Sequence, residues 1–389
     1  MKNNIIKLYL FNFFRSLHFI GGVIVPFFTI WGGLNLTQTL ILQSWFLICI
    51  FLLEIPSGTF ADFFGRKKSL ILAVIVNIAA AIVYSSMPNF YVFMLGEFLW
   101  AAAAALLSGA EHALIYDTLK KIKNTKISKT IFSRYESSGL SGLMIAAPIG
   151  SFIASIAGLQ APMFYLIIPF TIALLISLTL KEPHAIRKIK RISYLKTLKN
   201  GVQYFYKHKI LKLLALDMII IATVSYFMIW FYQVMLGNAG LDIAYFGFVH
   251  AGFVLSQIVI MNNFNKLERI LGSKKRLIFL SSLITGLMFV LGGLTTFLPI
   301  IIIVILVGGG FGLSRNPLFA SYFNKYIPSD KRATVLSSIS MFRRLSVAIV
   351  NPFVGMLADW SLANTLVLLG IVAIIFSFIS GVEEDMLID

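Results

Sequence analysis

Charge is scarce in this 389-residue chain. Charged residues make up 13% of it, with 16 Asp or Glu against 33 Lys or Arg. A soluble chain carries about 25% charged residues. A water-soluble fold could not cover a composition that is 58% hydrophobic, so the solvent for most of this chain is lipid. The single cysteine, Cys49, lies in an apolar run, which excludes a disulfide framework and a cysteine zinc cluster. The sequence has no G-x-x-x-x-G-K-[ST] loop, no H-E-x-x-H, no G-x-S-x-G and no spaced metal-ligand cluster. We therefore expect neither ATP drive through a phosphate loop, nor an enzyme, nor a cofactor. The net charge of +17 would suit nucleic acid. The basic residues, however, sit in short gaps between apolar runs, so no nucleic-acid partner is expected. The opening stretch from Ile5 to Trp31 is too long for a cleavable signal, and no small-residue cleavage site follows it.

What is present is a series of twelve apolar runs, each long enough to span a bilayer. They cover about 5–31, 40–61, 69–87, 91–119, 131–157, 160–180, 209–236, 242–265, 275–296, 299–323, 332–358 and 362–380. Of the 33 Lys and Arg, 28 precede the first run or follow the even-numbered runs two, four, six, eight and ten, on one side of the membrane; the opposite gaps hold none. The positive-inside rule puts both termini in the cytoplasm. The longest polar stretch, 181–208, separates a six-span bundle over 1–180 from a second over 209–389. Within it Ile186, Ile189, Ile192, Leu195 and Leu198 recur every three residues, which suits either a helix on the inner leaflet or a solvated basic linker.

The halves repeat each other. Thr130, Ser133, Pro148 and Ala154 match Thr334, Ser337, Pro352 and Ala358 at a constant offset, and "FFGRKKSL" over 63–70 recurs as "ILGSKKRL" over 270–277. Parallel repeats about an axis along the membrane normal build one known transporter architecture.

The hairpin between spans two and three reads Gly58-x-x-x-Asp62-x-x-Gly65-Arg66-Lys67-Lys68. It resembles the signature loop of the major facilitator superfamily, and "EIPSGTFADFFGRKK" is similar to bacterial and archaeal multidrug or tetracycline-type exporters of that superfamily. The resemblance implies an all-α membrane protein of twelve transmembrane helices in two pseudosymmetric bundles. Gly58 allows close helix packing and Gly65 the turn. Asp62 is expected to meet the positive end of another helix, which in the family is span eleven. Arg66 needs a carboxylate, and Asp117 at the inner end of span four is the candidate. This cluster would latch the two halves; the competing reading is that Arg66, Lys67 and Lys68 only anchor topology. The Pro148-x-Gly150 region, with Gly139 and Gly142 before it, faintly resembles the antiporter motif of drug exporters but lacks its full glycine spacing.

Ionisable residues inside spans are costly and mark function. Asn12, Arg15 and His18 are spaced for one face of span one. Glu97 and Glu111 in span four are fourteen residues apart, spaced for one face of a continuous helix. Span seven carries Asp217, span ten Arg315, and span eleven Arg343 and Arg344. In the superfamily, spans one, four, seven and ten line the central cavity. Arg15, Glu111, Asp217 and Arg315 come out at similar depths of about 12–15 Å, which pairs Arg15 with Glu111 and Arg315 with Asp217. Such pairs either hold helices together or exchange protons. Arg134 and Glu136 in span five lie near the surface.

The expected protein is a monomeric, multi-pass plasma-membrane transporter of a small-molecule substrate, working with protons. Proton-coupled export of amphipathic compounds is the first expectation. The runner-up is a symporter or exchanger for a small anionic or zwitterionic solute, supported by the four arginines in spans; a non-transporting receptor stays open. The topology is tested by cysteine labelling in a Cys49→Ser background. Asn35→Cys and Asn238→Cys should label only from outside and Lys67→Cys only from inside. Labelling of Lys67→Cys from outside would contradict it.

Overall fold

A computed structural model describes residues 2–183, 202–328 and 331–388. The secondary structure of these residues is helical, with no strand among them. Among the described residues, 10 helices are long and apolar enough to cross a membrane. They contain all the apolar runs except the first. The last two runs share one helix, Arg332–Ile379, interrupted at Ser361 by extended backbone (φ −161°, ψ 109°). The first run starts as the α-helix Lys2–Arg15. It then breaks into a 3-10 turn, Phe19–Gly22, a helical turn, Ile24–Pro26, and a π turn, Phe27–Trp31. Two consecutive glycines and Pro26, which has no N–H to give, weaken the regular ladder there. The amphipathic segment expected after span six, from Ile186 to Leu198, lies outside the described residues.

Polar residues between the runs end the helices. Asn35 caps span two reciprocally: its Oδ1 accepts from Gln38 N at 2.8 Å, and Asn35 N donates to Gln38 Oε1 at 3.1 Å. Asn89 Oδ1 caps span four, accepting from Tyr91 N at 2.9 Å. Between spans two and three the chain turns at Gly65 with φ 98°, a conformation that L side chains rarely adopt.

The chain forms two compact units, Met1–Lys190 with Asp242–Ala251, and Arg191–Leu241 with Gly252–Asp389. In the first, span one lies along the glycines of span five. A Cβ on Gly139 would come within 2.8 Å of Asn12 Nδ2, one on Gly142 within 2.6 Å of Phe13 O, and one on Gly150 would overlap Phe19 O. The beginning of span eight joins the same seam, where a Cβ on Gly22 would lie 2.9 Å from Gly247 Cα. Glycines that faintly resembled an antiporter motif thus serve close backbone packing. Gly58 does not: it is exposed, and a Cβ there would meet nothing within 4 Å. Its expected packing role is corrected accordingly.

In the second unit, span nine (Lys274–Leu294) packs along the final helix on small residues. A Cβ on Gly286 would be 2.8 Å from Gly370 O, and one on Gly370 would be 2.6 Å from Gly286 O. At the basic-loop end, buried Leu214, Ile278, Phe319, Tyr322 and Val335 form one core, which Val382 and Leu387 of the C-terminal segment join. Tyr326 OH donates to Met386 O at 3.0 Å and Lys274 Nζ to Leu387 O at 3.0 Å, so residues after span twelve are strapped back onto the bundle.

Candidate functional site

Among the described residues, each unit holds an arginine–carboxylate pair deep among its helices, and the first holds another at its inner hairpin. In the first, Arg15 closes the helix of span one and Glu111 opens the inner helix of span four, Ala110–Lys121. Arg15 Nη2 is 3.4 Å from Glu111 Oε1, and the side chains are 22% and 9% exposed. Tyr135 OH on span five donates to Glu111 Oε2 at 2.6 Å. Asn12 Oδ1 accepts from Arg15 Nη2 at 2.6 Å, while Asn12 Nδ2 donates to Tyr135 O at 2.7 Å. Arg15 Nε and Glu111 Oε1 have no hydrogen bond. The contact is therefore long, partly open and incompletely bonded.

Span four is not one continuous helix. The helix Phe90–Leu107 stops, Gly109 takes φ 76°, and a new helix starts at Ala110. The break resets the helical register, so Glu97 and Glu111 do not share a face as their spacing implied. Glu97, 5% exposed, meets other partners: Gln43 Nε2 of span two donates to its Oε1 at 2.7 Å, and Tyr84 of span three also donates to it. Among the described residues no basic side chain forms an ion pair with Glu97. His18 likewise leaves the face expected for it, because the helix ends at Arg15. Its ring instead stands edge-on to Trp100 at 5.5 Å and Phe170 at 6.1 Å between centroids.

In the second unit, Arg315 of span ten is bonded to Asp217 of span seven, with 1% and 2% side-chain exposure. Arg315 Nη1 also donates to Ile278 O at 2.7 Å and to Ser281 Oγ. The guanidinium lies over the Phe319 ring at 5.2 Å. Ser380 Oγ, just past span twelve, donates to Asp217 Oδ2 at 2.5 Å. This pair ties four helices together and is closed to solvent.

At the inner hairpin Arg66 and Asp117 form an ion pair, and Arg66 Nη1 donates to Ala113 O at 2.9 Å. Asp62 is exposed. The sequence reading missed Glu182. Its carboxylate accepts from Arg66 N at 3.2 Å and Lys67 N at 2.7 Å, covering the open N-terminus of span three. The second unit repeats the device. Glu384 accepts from Lys274 N at 2.9 Å, Lys275 N at 2.8 Å and Ser273 Oγ at 2.5 Å. The signal was available: an acidic residue follows the sixth span of each half, in "KEP" and "VEE".

Other sequence-selected residues do not gather at these pairs. Arg343 is partly exposed and, among the described residues, has no hydrogen bond or ion pair; Arg344 is partly exposed beside it. Glu136 bonds His112 at 3.0 Å rather than Arg134, and both groups are largely exposed.

Helical bundles with paired charges inside them suit a membrane transporter, and the family match makes this chain a secondary transporter, not an enzyme. The chain belongs to the Major Facilitator Superfamily, whose family model matches residues 10–351. It is 25% identical over 332 residues to Multidrug resistance protein 2 of Bacillus subtilis (strain 168), covering 82% of this chain and 79% of the relative. Among solved structures, it is similar to a variant of the nucleoside transporter NupG, with a TM-score of 0.84 at 13% identity over 97% of this chain and 98% of the other. It also resembles a POT family transporter in complex with 5-aminolevulinic acid, with a TM-score of 0.77 at 16% identity over 99% and 96%. At these identities the solved structures establish the fold.

The two carboxylate caps make a stability prediction. Glu182→Ala and Glu384→Ala should each cost about 0.5–2 kcal/mol, the range for a lost helix N-cap, read as a lower melting midpoint of purified protein. For Glu384, slight burial works to raise the carboxyl pKa, but hydrogen bonds from Ser273 and the N–H groups of Lys275 and Lys274 hold it below its ordinary value. A depressed carboxylate contributes stability above its unfolded pKa and loses it as pH falls through the folded one. The midpoint difference between wild type and Glu384→Ala should thus be full at neutral pH and shrink in acid. A difference that grows in acid would contradict the cap.

Proposed function

We propose that this chain works by alternating access as a proton-coupled exporter of small amphipathic compounds, with Glu111 as the proton carrier. The observation that carries this reading is the inequality of the two buried pairs. Asp217–Arg315 is buried and bonded by serine and backbone groups from spans nine and twelve, which suits a fixed strut. Arg15–Glu111 is long and partly open, and its carboxylate leaves Oε1 without a hydrogen bond, whereas the guanidinium Nε is unbonded in both pairs. A proton arriving at Glu111 removes the negative charge and leaves the Arg15 guanidinium uncompensated. Arg15 is only partly exposed, so losing its counter-charge is unfavourable even though it keeps its bond to Asn12, and protonation favours a conformation in which Arg15 finds water or another partner. A cationic substrate would compete for the same carboxylate, giving exchange of one for the other. Export is supported by the relation to Multidrug resistance protein 2.

The runner-up is uptake or exchange of a small anionic or zwitterionic solute. What favours it is Arg343, a partly exposed guanidinium in span eleven with no carboxylate bound to it among the described residues. Arginine keeps its charge when buried and grips carboxylate or phosphate bidentately. The two readings part in proteoliposomes. Under the exporter reading, an outward-directed flux of a fluorescent lipophilic cation should follow an imposed pH gradient. Glu111→Gln should abolish the gradient-driven component, and Glu97→Gln should retain it. A Glu111→Gln protein still driven by the gradient would remove this residue as the carrier. Gradient-driven movement of anions alone, lost in Arg343→Gln, would favour the runner-up.

A further inference from the structure

The second unit holds a cavity of about 420 Å³ that the transport mechanism does not use, within the size range of small-ligand pockets. It lies at the basic-loop end, where spans nine and twelve part after their tight contact at Gly286 and Gly370. Lys275 and Arg276 line it as exposed side chains at the start of span nine. Deeper in, Ser282, Ser377 and Ser380 line it, their hydroxyls donating to Ile278 O at 3.1 Å, Ile374 O at 2.6 Å and Asp217 Oδ2 at 2.5 Å, and Asp217 lies at its buried end. Phe279 and Phe378 also line it, packed edge to face at 5.2 Å; Phe378 is 67% exposed.

The first unit provides an internal control. There the end of span six is covered by side chains of its own unit. Lys7 Nζ donates to Thr179 O at 3.0 Å, Lys67 Nζ to Leu178 O at 2.7 Å, and Asn4 Nδ2 to Lys181 O at 2.7 Å. In the second unit Lys274, which matches Lys67, reaches Leu387 O instead, and the end of span twelve borders the cavity. The Lys275 ammonium has no hydrogen bond or ion pair among the described residues. Arg276 spends one nitrogen on Leu271 O at 3.1 Å and keeps the rest of its fork. The nearby carboxylates are engaged: Asp217 with Arg315 and Ser380, Glu384 with the span-nine cap. What remains is a pair of cations at the mouth of a cavity whose serine protons are already engaged, beside exposed aromatic surface.

We infer that this cavity binds the phosphate headgroup of an anionic phospholipid from the leaflet on the basic-loop side, with the acyl chains running out past Phe279 and Phe378. Arginine and lysine hold phosphate oxygens, and the aromatic edge suits the start of the hydrocarbon. The positive-inside rule places this leaflet at the cytoplasm, where anionic lipids attract basic segments. Because Ser380 both lines the cavity and bonds Asp217, an occupied site would brace the strut pair.

The test uses the full chain in phosphatidylcholine nanodiscs with a rising fraction of phosphatidylglycerol, read by thermal unfolding. Wild type should gain several degrees in melting midpoint, because a ligand that binds the folded state stabilises it. In Lys275→Gln/Arg276→Gln the lipid fraction giving half the effect should rise about fivefold for each cation lost. Lys266→Gln/Arg269→Gln, in the same loop but outside the cavity, should respond as wild type. Equal losses in both double variants, or no response in wild type, would overturn the site. Stabilisation by soluble glycerol phosphate or inorganic phosphate in detergent, without any lipid response, would assign the cations to a soluble phosphate ester and overturn the lipid source. If the cavity double variant fails to fold, Ser377→Leu, which fills the cavity without altering a charge, should lose the lipid response; a response equal to wild type would also overturn the proposal.

Discussion

A guanidinium buried among apolar helices cannot be left without a counter-charge, and each half of this protein is organised around that requirement. In the second unit Arg315 is 0% exposed and Asp217 1%. Their bond brings spans seven and ten together, Ile278 and Ser281 extend the contact to span nine, and Ser380 extends it to the end of span twelve. Losing either partner would strand a charge in a low-dielectric interior at a cost of about 3–5 kcal/mol. The pair therefore constrains where four helices lie relative to one another.

The first unit meets the same requirement less completely, and that difference is the basis of the functional account. Arg15 and Glu111 are joined to spans one, four and five through Asn12 and Tyr135, yet the pair itself is 3.4 Å long and partly open. The break of span four at Gly109 puts Glu111 at the start of a short helix. The same break separates Glu111 from Glu97, which is held by neutral donors in a different packing environment. One unit thus has a tightly bonded buried pair and the other a longer, less completely bonded one.

Much of this could be read from the residues. The apolar runs and the one-sided placement of Lys and Arg define the helices, because lipid leaves the backbone few alternatives. The pairs Arg15 with Glu111 and Arg315 with Asp217 followed from depth and from the scarcity of charge in spans, since few partners were available, and Arg66 with Asp117 from the signature hairpin and the position of Asp117 at the inner end of span four. What was not legible depends on backbone geometry. Hydropathy continues through Gly109 and through Arg15, so neither the break in span four nor the early end of span one leaves a mark on it. The serial spacing of Glu97 with Glu111, and of Arg15 with His18, therefore misled. Gly58 carries a motif position but meets no neighbour. Glu182 and Glu384 were visible only by comparing the ends of the two repeats, because a capping carboxylate looks like any loop charge until the N–H groups it covers are known.

The central claim is that Glu111, and not Asp217, takes up and releases a proton. The most direct measurement is pH-difference infrared spectroscopy of the full chain in lipid, in the C=O band of protonated carboxylic acids, on wild type, Glu111→Gln and Asp217→Asn. The account predicts a band that grows on acidification in wild type and in Asp217→Asn and is lost in Glu111→Gln. A band that persists in Glu111→Gln and disappears in Asp217→Asn would contradict it.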